Sequence, residues 1–237
     1  MAESRYERAR AATRPMLQLD GVAKDYGDIV ALQPCDLTVP AGQAVAVVGH
    51  NGSGKSTLLR IVAGLLDATA GSVTVAGEPA GSSPARASTS FVPDEPVLYD
   101  DLSVREHLEY ISAVHGAPVA AADLDDLVGR LGLADRVDDL PARFSRGLRQ
   151  KAGLAVGLVR PFSLLLIDEP FVGLDSSGRE ALLVLLDEAR SAGATLVIAT
   201  HEPSFVDRVD RCIALRDGGI VHDGPATAAD VAGLVSS

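Results

Sequence analysis

The chain has 237 residues, of which 47% are hydrophobic and 22% charged, and its formal net charge is −11 at pH 7. This length and balance predict a globular protein with enough residues to bury a sizeable core. The acidic surplus disfavours a surface that binds nucleic acid over much of the molecule, so no nucleic-acid partner is expected.

Neither a secretory signal nor a membrane span is predicted. Residues 1–14 mix arginines with glutamates and lack an apolar stretch, which indicates a disordered N-terminal tail. The longest run without acidic residues, lysine or arginine, from Leu37 to Gly54, is interrupted by prolines, glycines and polar residues. Cys35 and Cys212 lie in unrelated segments without metal or redox spacing, and are predicted to be buried in a reducing cytosol.

Short strand patterns occupy the chain before residue 44. Met16–Asp20 alternates apolar and polar residues, as a half-buried strand does, and Gly21–Gly27 follows as a predicted turn region. Ile29–Leu32 and Asp36–Val39 continue the short-strand pattern, with Pro34 as a break between them. Together these segments predict a small antiparallel sheet.

Tyr26 lies in the predicted turn region and has two possible roles. A tyrosine usually serves as a core or edge aromatic residue, and side-chain chemistry alone favours the core role. Its flat π-face also suits stacking on a purine ring. Both interpretations stay open at this point.

The next segment carries the strongest chemical signal in the chain. The apolar strand Ala44–Val48 leads into Gly49-His50-Asn51-Gly52-Ser53-Gly54-Lys55-Ser56, which fits the pattern G-x-x-x-x-G-K-[ST], and Thr57–Leu66 continues as a helix. Glycines let backbone N–H groups approach a polyphosphate, and the helix that opens near Lys55 adds the positive end of its dipole. Lys55 is expected to reach the β- and γ-phosphates, and the Ser56 hydroxyl to ligate Mg²⁺. The nucleotide contacts expected here are Gly49, His50, Asn51, Gly52, Ser53, Gly54, Lys55, Ser56 and Thr57.

Two further strands follow the phosphate-binding helix. Ser72–Ala76 and Thr89–Val92 alternate like strands around a predicted loop at Gly77–Ser88. The segment Val92-Pro93-Asp94-Glu95-Pro96 is acidic and too rich in proline for regular structure.

A helical insertion is predicted next. Ser103 and Glu106 have the spacing of a capping box that opens a charged helical stretch. Ser145 is the predicted N-cap ahead of the apolar helix Ala152–Val159. A serine and a glycine just ahead of a helix make a potential anion site, although these residues alone favour a simple helix cap.

Two acidic residues follow a strand that is predicted to be fully buried. Leu164–Ile167 is a continuous apolar run, typical of a parallel strand, and Asp168 and Glu169 come directly after it. Ligands bind at the carboxyl ends of strands in open α/β sheets. Asp168 therefore suits a role linked to Mg²⁺, and Glu169 the polarisation of a water molecule. Two acids after a strand are often only a solvated turn, but the phosphate-binding loop favours the functional interpretation.

The last third of the chain supplies a histidine to the same edge of the predicted sheet. Ser176–Arg190 is an amphipathic helix, and Ala194–Thr200 is a second buried strand that ends at His201. A lone histidine is more often structural than catalytic, but one at this edge is well placed to contact a γ-phosphate. Residues 212–221 predict a closing hairpin.

Over nearly the whole chain, from Leu17 to Ile220, this series resembles the nucleotide-binding subunit of ATP-binding cassette (ABC) transporters. Gly49–Ser56 matches the Walker A motif, and Leu164–Glu169 matches Walker B with its catalytic glutamate. The remaining matches are Gly173-Leu174-Asp175 to the D-loop, His201 to the switch histidine, Tyr26 to the adenine-stacking aromatic, and Ser145 and Gly147 to the serine and second glycine of the family signature.

The resemblance implies an α/β fold with a P-loop NTPase (RecA-like) core, an N-terminal antiparallel β subdomain and an inserted α-helical subdomain at about residues 97–160. Residues 15–237 would form a single ATPase domain. The resemblance further implies that the cofactors are ATP and Mg²⁺. The catalytic residues would be Lys55, Glu169 and His201, and the metal ligands Ser56, Asp94 and Asp168.

The family also implies partners and a location. Ser145 and Gly147 would contact the ATP held by a second nucleotide-binding subunit, in a head-to-tail homodimer or heterodimer. The dimer would drive a transmembrane permease and lie in the cytoplasm, peripheral to the inner face of the cell membrane.

Two motifs depart from the common family pattern. In the signature Phe144-Ser145-Arg146-Gly147-Leu148, Arg146 and Leu148 replace glycine and glutamine, and Asp94 stands where glutamine is usual. Asp94 offers an oxygen ligand to Mg²⁺ or to its water, with a charge that glutamine lacks. These departures favour a bacterial exporter subunit of the ABC-2 type. The alternative is a soluble ABC ATPase that acts in cofactor assembly or on a nucleoprotein complex.

Overall fold

The computed structural model describes residues 15–235, so the predicted disordered tail, residues 1–14, lies outside the described residues. The strands are β1 (Pro15–Tyr26), β2 (Ile29–Pro40), β3 (Ala44–Val48), β4 (Ala70–Val75), β5 (Glu78–Pro79), β6 (Thr89–Val92), β7 (Leu164–Asp168), β8 (Thr195–Ala199), β9 (Arg211–Arg216) and β10 (Gly219–Gly224). The α-helices are α1 (Lys55–Val62), α2 (Ser83–Ser88), α3 (Val104–Val114), α4 (Ala121–Arg130), α5 (Arg146–Leu158), α6 (Ser176–Ser191) and α7 (Ala228–Val235).

A six-stranded sheet forms the centre of the molecule, in the order β10-β9-β3-β8-β7-β6. Its strands are parallel except for β10, which forms an antiparallel hairpin with β9 as predicted. Every residue of β3, β7 and β8 is buried, as their continuous apolar runs require in a sheet covered on both faces. Because β3, β8 and β7 are parallel neighbours, the residues that follow them meet at one edge.

The two faces of this sheet pack against different layers. In β3, Ala44, Ala46 and Val48 belong to the core shared with the helices of the insertion and with α6. The alternate residues, Val45 and Val47, belong to the core shared with α1 and the N-terminal sheet. The architecture is therefore the predicted P-loop NTPase core with an antiparallel β layer and inserted helices.

The N-terminal sheet has the order β2-β1-β4-β5 and is antiparallel, as predicted, but two of its expected breaks are wrong. β1 runs through the predicted turn region Gly21–Gly27 as far as Tyr26, because shifts of register absorb Gly21, whose φ is 57°. β2 likewise continues through Pro34. A proline is tolerated there because β2 is an edge strand and needs no donor on its outer side.

Other element boundaries also differ from the predicted ones. The segment predicted as a loop at Gly77–Ser88 contains β5 and α2, and the Ser82 side chain caps α2 by accepting from the Ala85 N–H at 3.3 Å. Helix α5 begins at Arg146, six residues earlier than its apolar stretch indicated, because Ser145 caps it. The capping box of Ser103 and Glu106 is confirmed at the start of α3.

Cys35 and Cys212 are buried free thiols, as predicted. Burial raises the pKa of both thiols, and that of Cys212 rises to about 11, with a smaller contribution from the charge of Asp230. The thiols therefore stay protonated and unreactive at neutral pH.

Candidate nucleotide-binding site

The phosphate loop, defined as residues 49–54, connects β3 to α1 and is held tightly against neighbouring backbone. Gly54 has a φ of 105°, and a Cβ at this position would lie 2.6 Å from the carbonyl oxygen of Ala31 in β2. A Cβ on Gly49 would lie 2.5 Å from the carbonyl oxygen of Leu215 in β9. Only glycine allows this approach, so the two glycines fix the loop between two strands.

The Lys55 side chain is buried beneath the phosphate loop, with 6% of it exposed. Its Nζ atom donates to the carbonyl oxygens of Gly49 at 2.8 Å and His50 at 3.2 Å. The same atom lies 3.6 Å from Oε1 of Glu169. The ammonium is therefore held at the centre of the loop and faces the acidic end of β7.

Asp168, the last residue of β7, is fully buried, and neither of its carboxylate oxygens has a hydrogen-bond partner within residues 15–235. Burial raises the pKa of Asp168, and the charges of Glu169 and Asp94 act in the same direction. Ser56 is near enough to lower the pKa of Asp168, although no contact between the two meets the distance and angle of a hydrogen bond. Unsatisfied buried oxygens of this kind are costly unless a ligand or ion meets them.

Glu169 joins the phosphate loop to His201. Its φ of 48° is uncommon for a residue other than glycine, and its N–H donates to the carbonyl oxygen of Ala199 in β8 at 2.8 Å. Its Oε2 atom accepts from the His201 N–H at 3.2 Å and lies 2.7 Å from Nδ1 of the His201 ring. The structure thus brings Lys55, Glu169 and His201 together from three separate segments.

A cavity of about 310 Å³ lies over the phosphate loop, between Asp94, which follows β6, and Glu169, which follows β7. Its other lining residues are Ala31, Asn51, Gly52, Gly54, Lys55, Ser56 and Thr57. Of the remaining predicted contacts in the loop, Gly49 and Ser53 are packed behind the cavity, and His50 is exposed beside it. Within the loop, Asn51, Gly52 and Gly54 therefore face this space.

The oxygen atoms around this cavity fit a hard divalent cation. Ser56 and Asp94 line the cavity, and Asp168 directly precedes the lining residue Glu169. Ser56 offers a hydroxyl, and both carboxylate oxygens of Asp168 and Oδ1 of Asp94 are buried without a hydrogen bond from the described residues. Mg²⁺ prefers oxygen ligands and keeps several waters. No group of three or more His, Cys, Asp or Glu side chains within residues 15–235 forms a ready-made metal site. An ion here would therefore take other ligands from phosphate and water.

Three further predicted nucleotide contacts, which come from outside the phosphate loop, also do not line the cavity. Tyr26 is 54% exposed at the end of β1, so the core role is wrong, and Nζ of Lys24 lies 5.0 Å from the centre of its ring. Ser145 is exposed and caps α5 by accepting from the Leu148 N–H at 3.3 Å. Gly147 packs so closely on Gly173 that a Cβ would lie 2.5 Å from the carbonyl oxygen of Gly173. Contacts of these residues with a nucleotide stay predictions.

Arg179 and Glu202, which local sequence patterns do not indicate, form an ion pair at the residue directly after His201. Arg179 in α6 forms a two-pronged ion pair with Glu202, the residue after His201, with one contact of 2.6 Å from Nη2 to Oε1. The guanidinium of Arg179 also lies 5.3 Å from the centre of the Phe171 ring. No local spacing links Arg179 to Glu202, which lie 23 positions apart, so only the fold shows this contact.

An ion pair between a buried lysine and an exposed aspartate contributes to the position of the D-loop motif. Nζ of Lys151 in α5 lies 2.9 Å from Oδ1 of Asp175, and Asp175 caps α6 by accepting from the Gly178 N–H at 3.0 Å. The hydrogen bond from Lys151 is the main cause that holds the pKa of Asp175 below its ordinary value. The ion pair therefore ties the signature helix α5 to the segment that follows Walker B.

A parallel sheet with a phosphate loop after one strand and acidic residues after another defines a P-loop nucleoside triphosphatase. The sequence pattern of the family described as "ABC transporter" matches residues 32–172, and that of "AAA domain, putative AbiEii toxin, Type IV TA system" matches residues 138–207. The chain belongs to the ABC transporter family. It is an ATP-binding component whose hydrolysis of ATP powers transport.

Individual proteins support this assignment. The chain is 37% identical over 226 residues to aliphatic sulfonates import ATP-binding protein SsuB 1 of Mesorhizobium japonicum, with 91% of this chain and 84% of the relative covered. It is 35% identical over 222 residues to macrolide export ATP-binding/permease protein MacB 1 of Aeromonas hydrophila subsp. hydrophila, with 88% of this chain but 34% of the relative covered. A solved structure described as the ATP binding subunit of an ABC transporter superposes with a TM-score of 0.82 at 28% identity, over 94% of this chain and 95% of that one.

Across residues 15–235, no helix combines the length and the apolar character that crossing a lipid bilayer requires.

Proposed function

We propose that this chain binds Mg²⁺–ATP over the phosphate loop, hydrolyses it by in-line attack of water on the γ-phosphate, and thereby drives a separate transmembrane permease. The observation that carries the proposal is the convergence of Lys55, Glu169 and His201. Nζ of Lys55 lies 3.6 Å from one carboxylate oxygen of Glu169, and Nδ1 of His201 lies 2.7 Å from the other. Positioning and electrostatic stabilisation dominate such chemistry, and this group supplies both.

Each residue has a distinct role in the proposed reaction. Lys55 and the loop amides stabilise negative charge that develops on the phosphates, and His201 holds the γ-phosphate. In the structure Glu169 bridges the other two side chains. A γ-phosphate would give Lys55 and His201 a new anionic partner, which frees the carboxylate of Glu169 to polarise the attacking water.

Ser56, Asp94 and Asp168 are the proposed metal ligands. Their support is the set of buried oxygens of Asp94 and Asp168 that accept no hydrogen bond from residues 15–235, together with the nearby hydroxyl of Ser56. When bound, Mg²⁺ neutralises charge on the β- and γ-phosphate oxygens. Ser56 follows β3 and Asp168 ends β7, both at the carboxyl edge of the same sheet, so the two would hold the ion beside the phosphate loop.

We further propose that residues 15–237 act as one ATPase domain, with a helical subdomain at about residues 97–160, in a head-to-tail homodimer or heterodimer. The exposed N-cap Ser145 and its neighbour Gly147 would contact ATP bound to the opposite subunit, since a helix N-terminus favours an anion. Tyr26 would stack on the adenine from its exposed position at the end of β1. The dimer would lie in the cytoplasm against its permease at the inner face of the membrane.

Export is the proposed direction of transport. It rests on Arg146 and Asp94, whose departures from the common pattern resemble ABC-2 type exporter subunits. The named relatives include both a sulfonate import protein and a macrolide export protein, so sequence similarity alone does not decide between the two directions.

The test is a tagged Glu169→Gln variant purified from mild detergent extracts of its native cells in the presence of ATP. Loss of the carboxylate should slow hydrolysis by about 10²–10⁴-fold, while nucleotide binding persists. A polytopic membrane protein should then be recovered in equal amounts, and only when ATP is present. Lys55→Ala, which loses the phosphate contact, is the matched control without a trapped complex. Recovery of soluble partners alone would instead support an ABC ATPase that acts in cofactor assembly or on a nucleoprotein complex.

A further inference from the structure

Two of the three positions where this chain departs from the common family pattern, Asp94 and Arg146, are neighbours in space. Asp94 follows β6, Arg146 is the first residue of α5, and Nη2 of Arg146 lies 3.9 Å from Oδ1 of Asp94. An aspartate where glutamine is usual adds a negative charge, and an arginine where glycine is usual adds a positive one. The two changes are therefore opposite in charge and adjacent in the fold.

Asp94 separates two spaces in the protein. On one side it lines the cavity over the phosphate loop, with Lys55 and Ser56. On the other side it lines a groove of about 600 Å³, with Phe144 and Arg146. A carboxylate in this position can face either the phosphate site or the signature segment.

The contact between Asp94 and Arg146 is electrostatic and loose. Their atoms are too far apart for a hydrogen bond, and Oδ1 of Asp94, although buried, accepts none from the described residues. The side chain of Arg146 is 68% exposed, whereas that of Asp94 is 42% exposed. Arg146 therefore neutralises Asp94 without locking it in one geometry.

Neutralisation of the Asp94 charge matters because other carboxylates already lie around the phosphate site. Three carboxylates, those of Asp94, Asp168 and Glu169, lie around it. Burial is the main cause that raises the pKa of Asp168, and the charges of Glu169 and Asp94 also raise it. Lys55 is the cation at the bottom of the same site. An unpaired negative charge on Asp94 would add to this acidic surrounding and repel an incoming triphosphate.

We propose that Arg146 is the counter-ion of Asp94, and that Asp94 exchanges Arg146 for the Mg²⁺ of the bound nucleotide. Arg146 is thus a positioning residue that acts through Asp94, and the pair connects the signature segment to the metal side of the phosphate loop. The inference rests on the proposed function, because it requires Mg²⁺ and nucleotide at this site.

The test measures nucleotide binding in place of activity. A fluorescent β,γ-imido analogue of ATP is titrated into wild type, Arg146→Ala, Asp94→Asn and the double variant, once with Mg²⁺ and once with excess EDTA. Without Mg²⁺, Arg146→Ala should weaken binding about fivefold, the size expected of one partly exposed ion pair. With Mg²⁺ the loss should shrink below twofold, because the ion replaces Arg146 as the partner of Asp94. In the Asp94→Asn background the Arg146→Ala change should have no effect under either condition.

Two further variants separate this pair from a general loss of positive charge. Arg149→Ala removes an arginine one turn further along α5 that lines the same groove and has no carboxylate at ion-pair distance in the described residues. It should bind the analogue like wild type in EDTA, whereas Arg146→Lys should restore most of the affinity. Thermal unfolding confirms that each variant is folded before it is titrated.

The outcomes separate this inference from the function on which it rests. An equal loss on Arg146→Ala with or without Asp94, or an equal loss on Arg149→Ala, would overturn the pairing while leaving nucleotide binding intact. Failure of the wild-type protein to bind the analogue would instead overturn the proposed nucleotide site. A fivefold loss that is present in EDTA, absent with Mg²⁺ and absent in Asp94→Asn would establish the exchange.

Discussion

Replacing Gly54 by alanine tests whether the phosphate loop is fixed by its contact with β2. The φ of Gly54 is 105°, and the added Cβ would lie 2.6 Å from the carbonyl oxygen of Ala31. A left-handed backbone costs an L-residue about 1–2 kcal/mol, and overpacking adds about 1–3 kcal/mol. Alanine also lowers the conformational entropy of the unfolded chain, which stabilises the variant by about 0.4–1 kcal/mol. We therefore expect the melting temperature to fall by about 5–10 °C.

Gly77→Ala is the matched control for this substitution. Gly77 lies in the turn between β4 and β5 with a φ of 84°, and an added Cβ there would meet no atom of the described residues within 4 Å. Its alanine variant therefore carries the backbone strain without the clash. Circular dichroism should show that Gly54→Ala melts several degrees below Gly77→Ala. Titration with a fluorescent ATP analogue should show at least tenfold weaker binding for Gly54→Ala only. Equal melting temperatures and equal affinities in the two variants would refute the steric argument.

Two further predictions follow from contacts outside the phosphate loop. Arg179→Ala removes the ion pair with Glu202, the residue that follows His201, so the His201 side chain should be held less firmly. We expect kcat for ATP hydrolysis to fall about tenfold at nearly constant KM, since ~1.4 kcal/mol of positioning corresponds to one factor of ten. A rise in KM at unchanged kcat would contradict this role. Because the pKa of Cys212 is raised to about 11, its thiol should stay protonated and resist a colorimetric thiol reagent at pH 8 in the native protein. Reaction should start only near that pKa or on unfolding, and rapid labelling of native Cys212 at pH 8 would show that it is not buried.

Local sequence patterns predicted the central sheet because burial alone determines its strands. Leu164–Ile167 could be placed since a continuous apolar run of that length fits a strand covered on both faces. The N-terminal sheet was harder to predict, because Gly21 and Pro34 are breaks in most contexts. Here a shift of register absorbs the glycine and an edge position accommodates the proline. Such compensation depends on neighbouring strands, so no window of local sequence contains it.

Some residues of the candidate site could likewise be predicted from local sequence, whereas their contacts with distant segments could not. Lys55, Asp168, Glu169 and His201 were predicted because each follows a strand or opens a helix of recognisable pattern. The contact between Asp94 and Arg146 was not predicted, although both residues were noticed as departures from the family pattern. Charge compensation between distant segments depends on which loops the fold brings together. Side chains that act on a neighbour rather than on the ligand therefore need the structure to be found.

The exposure of the proposed catalytic residues also favours a second subunit. The Glu169 side chain is 13% exposed, whereas the His201 side chain is 58% exposed, so solvent reaches one end of the group. Electrostatic stabilisation of a γ-phosphate is strong only where water is excluded. The described residues of one chain leave this edge open, while Ser145 faces outward at the start of α5. A second cassette turned head to tail would cover His201 and give Ser145 an anion to bind, so the chemistry of the site favours the same dimer that the family resemblance implies.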